Sequence, residues 1–292
     1  MGGMERGMRV WISHRTSYFY HQPVALGLHR LMLRPREDRE HRLLAFTLDI
    51  TPDCRVAWAT DVYGNAVATA AFEGETPVLV VESRAELKLV GAPGDVPQLD
   101  PFAQTYPFAY SGPDWTVADP FALPVYFDPQ ARLAAWVGAI VMGPAVPTLA
   151  LLQDINTAVQ RSARYEVRAQ GGTQGPLDTL DRGIASCRDF AVLFAEAVRT
   201  LGFAARLVSG YLANPGGSAP GTASTHAWVE VFLPGAGWVA FDPTHGTMGG
   251  HNLVGVAAGR TMEETTPVSG TYAGRSDALR QMLVEVEVEV TA

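Results

Sequence analysis

The stretch Arg182–Leu212, RGIASCRDFAVLFAEAVRTLGFAARLVSGYL, sets one of the two cysteines of the chain directly before a helical pattern. Apolar residues recur there at spacings of three and four, which predicts a helix that begins at Cys187 and ends near Gly202. Ser186 is a favoured N-cap residue, and Asp189 three positions later completes a capping-box pattern. The next segment, AARLVSGYL, is typical of a strand. The stretch therefore predicts a capped helix followed by a strand, with a thiol in the first helical turn.

A thiol in this position has three interpretations: a small buried hydrophobe, a metal ligand or a nucleophile. The unpaired N–H groups and the positive end of the dipole at a helix start favour thiolate over thiol. This favours reactivity at Cys187, but a nucleophile also needs a nearby base and a group that orients the base.

The segments HAWVEVFLP and GWVAFDPT, joined by PGAG, predict a β-hairpin that supplies both groups. His226 opens the first strand and Asp242 closes the second, so the hairpin brings them to the same end. Because side chains alternate between the two faces of a strand, His226 and Trp228 lie on one face. Odd or even residue numbers alone do not determine the register between the two strands. His245 follows closely as a rival orienter or second base. The set suits Cys–His–Asp acyl transfer, with Cys187 as nucleophile, His226 as base and Asp242 as orienter.

A zinc site is the competing interpretation of the same residues. Cys187, His226, Asp242, His245 and His251 have suitable donor atoms. The sequence has no CxxC, HxxxH or HExxH pattern, and Cys187 has no second ligand close by in the chain. We therefore expect neither a bound metal nor another cofactor, and no acidic loop indicates activation by calcium.

Composition limits the class of protein. The chain has 292 residues, of which 47% are hydrophobic and 18% charged, and this is typical of a globular protein of one or two domains. A net charge of −8 argues against nucleic acid or an anionic membrane surface as partner. We see neither a signal peptide nor a membrane-spanning apolar run, so we expect a cytoplasmic protein with reduced thiols and no disulfide between Cys54 and Cys187.

The chain divides into three parts by composition. Residues 1–100 predict a β-rich N-terminal domain, in which VYGNAV marks a hairpin turn. Residues 101–130 are rich in proline and aromatic residues without a period, and they predict a connector. Residues 131–292 predict a catalytic domain, with a Gly/Pro-rich loop at residues 213–225. The final LVEVEVEVT alternates strictly, which predicts an edge strand with one solvated face.

The segments RGIASCRDFAVLFAEAVRTLGFAARLVSGYL and STHAWVEVFLPGAGWVAFDPTHG resemble bacterial transglutaminase-like proteins, which are often described as cysteine proteases. The spacing and the neighbouring residues agree over Gly183–Gly246. The similarity extends to a β-rich N-terminal domain through YHQPVALGLHRLMLRPR and DVYGNAV, and to the tail through VAAGRTMEETTPVSGTYAG. This chain departs from the family at Thr261, where Asp is usual, at His245, where Asn is common, and at Leu207, where an aromatic residue is frequent.

The resemblance implies an α+β, papain-like core in which the cysteine helix packs on an antiparallel sheet, preceded by a small all-β domain. It implies Cys187 as nucleophile, His226 as base and acid, and Asp242 as orienter. The implied activity is amide or peptide hydrolysis, or acyl transfer, through a Cys187 thioester. The implied substrate is a peptide or amide, with glutamine- or glutamyl-containing peptides among the candidates.

Further residues and functions stay open at this point. Trp228, His245 and Ser186 are candidates for the substrate cleft, although Trp228 also suits the core, and the backbone N–H of Cys187 is the natural first donor to an oxyanion. Of the possible functions, we favour hydrolysis. The alternatives are a silent peptide-binding module on the same fold and a metal-dependent hydrolase that uses Cys187, His226 and His245.

Overall fold

The computed structural model describes residues 8–168, 171–214 and 225–291. Most of the predicted loop at residues 213–225 lies outside these residues, as does most of the chain's start. The described strands fall into a seven-stranded sheet, a five-stranded sheet and two small two-stranded sheets. The structure is an α+β fold with a sheet-rich N-terminal region, which confirms the predicted fold class.

The described elements, in chain order, have the following bounds. The strands are β1 (Arg9–Leu31), β2 (His41–Thr51), β3 (Cys54–Thr60), β4 (Ala66–Phe72), β5 (Glu75–Leu89), β6 (Thr105–Tyr106), β7 (Val146–Pro147), β8 (Arg164–Tyr165), β9 (Ile184–Ala185), β10 (Ala205–Leu212), β11 (Thr225–Leu233), β12 (Gly237–Asp242), β13 (Thr247–Met248), β14 (Leu253–Gly259), β15 (Val268–Ala273) and β16 (Leu279–Thr291). The helices are α1 (Gly112–Ala122), α2 (Arg132–Gly138), α3 (Thr148–Ser162), α4 (Pro176–Arg182) and α5 (Cys187–Thr200).

The seven-stranded sheet is organised around β1. Its strand order is β2-β5-β1-β4-β3, and β15 and β16 also pair with β1. The 23 residues of β1 are long enough for its first half to pair with β5 and β16 and its second half to pair with β4 and β15. All of these pairings are antiparallel, as expected for a sheet with one face packed and one face solvated.

The last two strands lie in this first sheet, which differs from the predicted inclusion of residues 131–292 in one catalytic domain. Val286 and Val288 are buried in a cluster with Val10 and Ile12, while the alternating glutamates Glu285, Glu287 and Glu289 are exposed. The alternation therefore correctly indicates a strand with one solvent-exposed face. The strand pairs with β1, which lies at the other end of the sequence. A local pattern predicts such a strand without identifying its partner.

The connector is more structured than its composition predicts. It contains α1, and its β6 pairs with β7. In α1 only Ala118 is buried, so the helix has no apolar stripe that a search for periodicity would detect.

The five-stranded sheet has the order β13-β12-β11-β10-β14, and α5 packs on one face of it. Phe190 and Phe194 of α5 are fully buried in the same core as Phe241 of β12. Complete burial of each such ring contributes about 1.5–3 kcal/mol. α3 packs beside α5 and contributes buried apolar residues, including Leu152 and Ile155. This packing fixes the start of α5 relative to the sheet.

Buried polar groups join the two sheets. The Asn65 side chain is completely buried and bonds both backbone groups of Ala258 in β14: its Nδ2 donates to the carbonyl at 2.7 Å, and its Oδ1 accepts the N–H at 2.8 Å. A second contact joins β1 and β10: His14 Nδ1 lies 2.8 Å from the Tyr211 hydroxyl, and burial lowers the pKa of His14 to about 4. A small displacement of one sheet against the other would leave these groups buried without partners, so the contacts favour one relative position of the sheets.

Among the described residues, no helix is both long enough and apolar enough to cross a lipid bilayer.

Replacement Asn65→Ala should lower the free energy of unfolding by about 2–3 kcal/mol, because it leaves both backbone groups of Ala258 buried without partners. Chemical denaturation measures this value. The exposed Asn214→Ala is the matched control and should change stability by less than about 0.5 kcal/mol. Equal stabilities for the two variants would contradict the bridging role of Asn65.

Candidate active site

Cys187 occupies the first position of α5, as the capping pattern predicts. The buried Asp189 carboxylate accepts the backbone N–H and the hydroxyl of Ser186, both at 2.8 Å. Ser186 therefore acts in capping, and its 5% exposure leaves it little access to a substrate. The backbone N–H of Cys187 is one of the first N–H groups of α5, and these groups have no hydrogen-bond partner within the helix. The positive end of the helix dipole lies at this end of α5, where the thiol is attached.

Asp189 also anchors the segment that precedes α5. Gln174 donates to it from its backbone N–H and from its side chain, and Arg168 Nη2 donates at 2.8 Å. Burial alone would raise the pKa of Asp189, but the hydrogen bonds from Gln174 and Ser186 outweigh burial and lower its pKa. The carboxylate is consequently ionised, and its hydrogen bonds hold the start of α5, where Cys187 lies.

The hairpin register brings the other two predicted residues together. β11 and β12 are joined by the three-residue turn at 234–236, and Glu230 pairs with Ala240. An odd loop length pairs even-numbered with even-numbered residues, so His226 and Asp242 lie on the same face. The pairing thus determines the register of the hairpin, which the alternation of residues in the sequence does not determine by itself.

Cys187, His226 and Asp242 form a continuous chain of contacts. His226 Nε2 donates to Asp242 Oδ2 at 2.7 Å, and the imidazole also hydrogen-bonds the Cys187 thiol. Since Nε2 is engaged by the carboxylate, Nδ1 is the ring nitrogen left for the sulfur. The order thiol, imidazole, carboxylate is the one that nucleophilic acyl transfer requires.

The electrostatics of the site favour a charged imidazole. Burial lowers the pKa of His226, but its hydrogen bonds to Asp242 and Cys187 outweigh burial and raise the pKa to about 9. Burial likewise opposes ionisation of Asp242, and the two imidazoles that donate to it reverse that effect and hold its pKa well below the ordinary value. At neutral pH the pair is imidazolium and carboxylate.

Trp228 lies beneath the imidazole rather than in an open cleft. It is 2% exposed, and its ring stacks on that of His226 with centroids 6.2 Å apart. It also belongs to a small apolar cluster with Val208 and Leu253. The structure thus supports the core interpretation of Trp228 over a role in the substrate cleft.

His245 also bonds Asp242, and its ring lies near that of His226, with centroids 5.4 Å apart. Its Nδ1 donates to the same Oδ2 at 2.7 Å, and its side chain is 48% exposed. Within the described part of the chain, His226, Asp242 and His245 place potential ligand atoms within 4.8 Å of one another. Of the five residues considered for zinc, Cys187 and His251 lie outside that group. His251 lies beside His41.

Tyr165 is a site residue that the sequence analysis misses. β8 pairs in parallel with β9, which sets Tyr165 opposite Ala185, two residues before the nucleophile. Burial, followed by the charges of Cys187 and Asp242, raises the pKa of Tyr165. The residue is 44% exposed, and its interaction with both charges puts it close to the thiol and the carboxylate. Strands of two residues have no period, and no sequence signal identifies this tyrosine.

The sequence matches two known families. Residues 10–88 match the bacterial transglutaminase-like N-terminal region, and residues 134–243 match the transglutaminase-like superfamily. An uncharacterized protein of Mycobacterium leprae is 25% identical over 294 residues, which cover 95% of this chain and 98% of that protein. A protein-glutamine gamma-glutamyltransferase of Pseudomonas aeruginosa is 33% identical over 131 residues, which cover 42% of this chain but 19% of that protein.

One solved structure shares the fold over its whole length. It is a protein of Cytophaga hutchinsonii described as a candidate cysteine protease, with a TM-score of 0.69 and 17% identity. The match covers 98% of each chain. The arrangement of a β-rich N-terminal sheet before the helix-and-sheet core therefore occurs in a second protein.

An NMR titration of the His226 imidazole should give a midpoint near pH 9, and Asp242→Asn should lower the midpoint well below 9 because the charge that holds the proton is removed. The raised pKa also predicts that the charged pair stabilises the fold fully below about pH 6.5 and progressively less as pH rises toward 9. A midpoint that does not move in Asp242→Asn would contradict this assignment.

Proposed function

The chain belongs to the transglutaminase-like superfamily, and we propose that it is a thiol-dependent enzyme that cleaves a peptide or amide through a thioester on Cys187. The observation that carries the proposal is the continuous hydrogen-bonded order of Cys187, His226 and Asp242, with the carboxylate buried and the thiol at a helix start. Such an order provides a nucleophile, a proton carrier and a fixed counter-charge.

In the first step the Cys187 thiolate attacks the carbonyl carbon of the substrate, and the carbonyl oxygen takes up the negative charge. The Cys187 backbone N–H is the proposed first donor to this oxygen. The intermediate then collapses: the C–N bond breaks, the proton on His226 Nδ1 passes to the departing amine nitrogen, and the acyl group remains on sulfur as a thioester.

In the second step neutral His226 removes a proton from water as the water oxygen attacks the thioester. The C–S bond breaks, the carboxylic acid product leaves, and the sulfur returns as thiolate beside the protonated imidazole. Asp242 remains ionised in both steps, because its role is to hold Nε2–H and to stabilise the positive imidazole as it forms.

Hydrolysis is the first choice, and acyl transfer to an amine is the second candidate. The similarity to a protein-glutamine gamma-glutamyltransferase favours the second, since an amine in place of water would resolve the same thioester into a new amide. That similarity is restricted to 42% of this chain, so it does not fix the acceptor. A metal-dependent hydrolase is a further candidate, because potential metal ligands meet at His226, Asp242 and His245. Adding a chelator to the activity assay tests whether turnover requires a metal.

Alkylation by iodoacetamide at pH 7 should modify Cys187 faster than Cys54 by about tenfold or more, because an unactivated thiol is only a few per cent thiolate. Cys54 is a control within the same chain: burial and the neighbouring Asp53 raise its pKa. Peptide mapping by mass spectrometry measures both rates in the native protein. Equal rates would contradict an activated nucleophile and would favour the silent binding module.

A screen of peptide and γ-glutamyl amide substrates should detect turnover that Cys187→Ala lowers by about a thousandfold or more. Cys54→Ala should retain the wild-type rate, since Cys54 lies in β3 of the other sheet. Adding a primary amine distinguishes hydrolysis from transfer by the ratio of acid to amide product. Turnover that survives Cys187→Ala, or that requires a metal, would overturn the proposal.

A further inference from the structure

Two imidazoles share one oxygen of the catalytic carboxylate. Oδ2 of Asp242 accepts from His226 Nε2 and from His245 Nδ1, each at 2.7 Å, while Oδ1 accepts the backbone N–H of Thr244 at 2.9 Å. Asp242 is 1% exposed, so solvent does not replace a lost donor easily. The orientation of this carboxylate therefore depends on two donors besides the catalytic histidine.

Both additional donors come from one turn at residues 242–246. The N–H of Gly246 donates to the Asp242 carbonyl at 2.8 Å, which closes the turn. Gly246 has a φ of +68°, and a Cβ there would lie 2.7 Å from Oε1 of Gln160. The turn thus needs glycine at this position, and its closure directs the His245 side chain back onto Asp242.

A row of amides on α3 holds the same turn from outside. Gln153 donates to the Gly246 carbonyl at 2.7 Å, Asn156 to the Thr247 carbonyl at 3.0 Å and Gln160 to the Thr244 carbonyl at 3.4 Å. The three residues follow one face of the helix at spacings of three and four. Because the backbone on both sides of His245 is fixed, the ring reaches Asp242 with little loss of conformational entropy.

We infer that His245 is a positioning residue, whose Nδ1–H holds Oδ2 of Asp242 in the orientation that accepts Nε2–H of His226. The inference rests on the proposed function, because it assigns His245 a role in that same site. Loss of the donor leaves a lone pair of a buried carboxylate unpaired and lets the carboxylate rotate away from His226. His245 acts through Asp242 and needs no contact with the substrate.

The side chain of asparagine offers a direct test of the role. Its Nδ2 is attached to Cγ, as is Nδ1 of histidine, so His245→Asn keeps an N–H donor at the same distance from the backbone. His245→Gln moves the amide one carbon further away, and His245→Ala removes it. The inference predicts that donor position, rather than a charge or an aromatic ring, determines the effect of each variant.

The experiment compares these three variants with wild type and with the exposed-histidine control His21→Ala. Alkylation of Cys187 and turnover should fall about 10- to 100-fold in His245→Ala and His245→Gln, a loss typical of residues that orient a catalytic group. His245→Asn and His21→Ala should remain near wild type. Thermal unfolding of each variant separates an effect on the site from a loss of fold.

NMR detection of the His226 Nε2–H proton adds a readout that is independent of any substrate. The signal should persist in wild type and His245→Asn and should broaden through exchange in His245→Ala and His245→Gln. An unchanged signal and reactivity in the folded Ala or Gln variant, or a His245→Asn variant as impaired as Ala, would overturn the inference. Slow alkylation of Cys187 in wild type contradicts the proposed function instead, while the proton signal still tests His245.

Discussion

The buried carboxylate of Asp242 is the group on which the rest of the site depends. An ionised carboxylate is costly to bury, and here three hydrogen bonds, two from imidazoles and one from a backbone N–H, offset that cost. Its charge in turn keeps His226 protonated at neutral pH beside the thiol. The carboxylate links the stability of the site to its reactivity, because the same bonds that satisfy it also orient the imidazole.

The fold serves this interaction by fixing three separate segments. The capping bonds between Ser186 and Asp189 set the start of α5, and the core beneath α5 holds the helix on the sheet. The hairpin register sets His226 and Asp242 on one face. The first sheet contributes through contacts such as Asn65 with Ala258, which attach it to the sheet that carries the site.

The sequence predicts the parts of this site that depend on local signals. Ser186, Asp189 and Gly202 mark the ends of the cysteine helix, and turn residues reveal the hairpin that carries His226 and Asp242. The exact pairing within the hairpin depends on whether the turn has two or three residues, which the composition of PGAG does not decide. Tyr165 lies in a two-residue strand, and the amides of α3 look like an ordinary solvated face. The pairing of β16 with β1 depends on contacts across nearly the whole chain, which no local pattern encodes.

The most direct test of Cys187 as a nucleophile is to trap the acyl-enzyme. The protein is mixed with a p-nitrophenyl ester of a peptide or glutamyl acid, quenched in acid and mapped by mass spectrometry, with His226→Gln and Cys54→Ala run in parallel. A Cys187 nucleophile assisted by His226 should carry one acyl group, released by hydroxylamine as a thioester should be. The acyl group should form rapidly in wild type and Cys54→Ala and slowly in His226→Gln. Acylation of another residue, or formation at the same rate in His226→Gln, would contradict a Cys187 nucleophile assisted by His226.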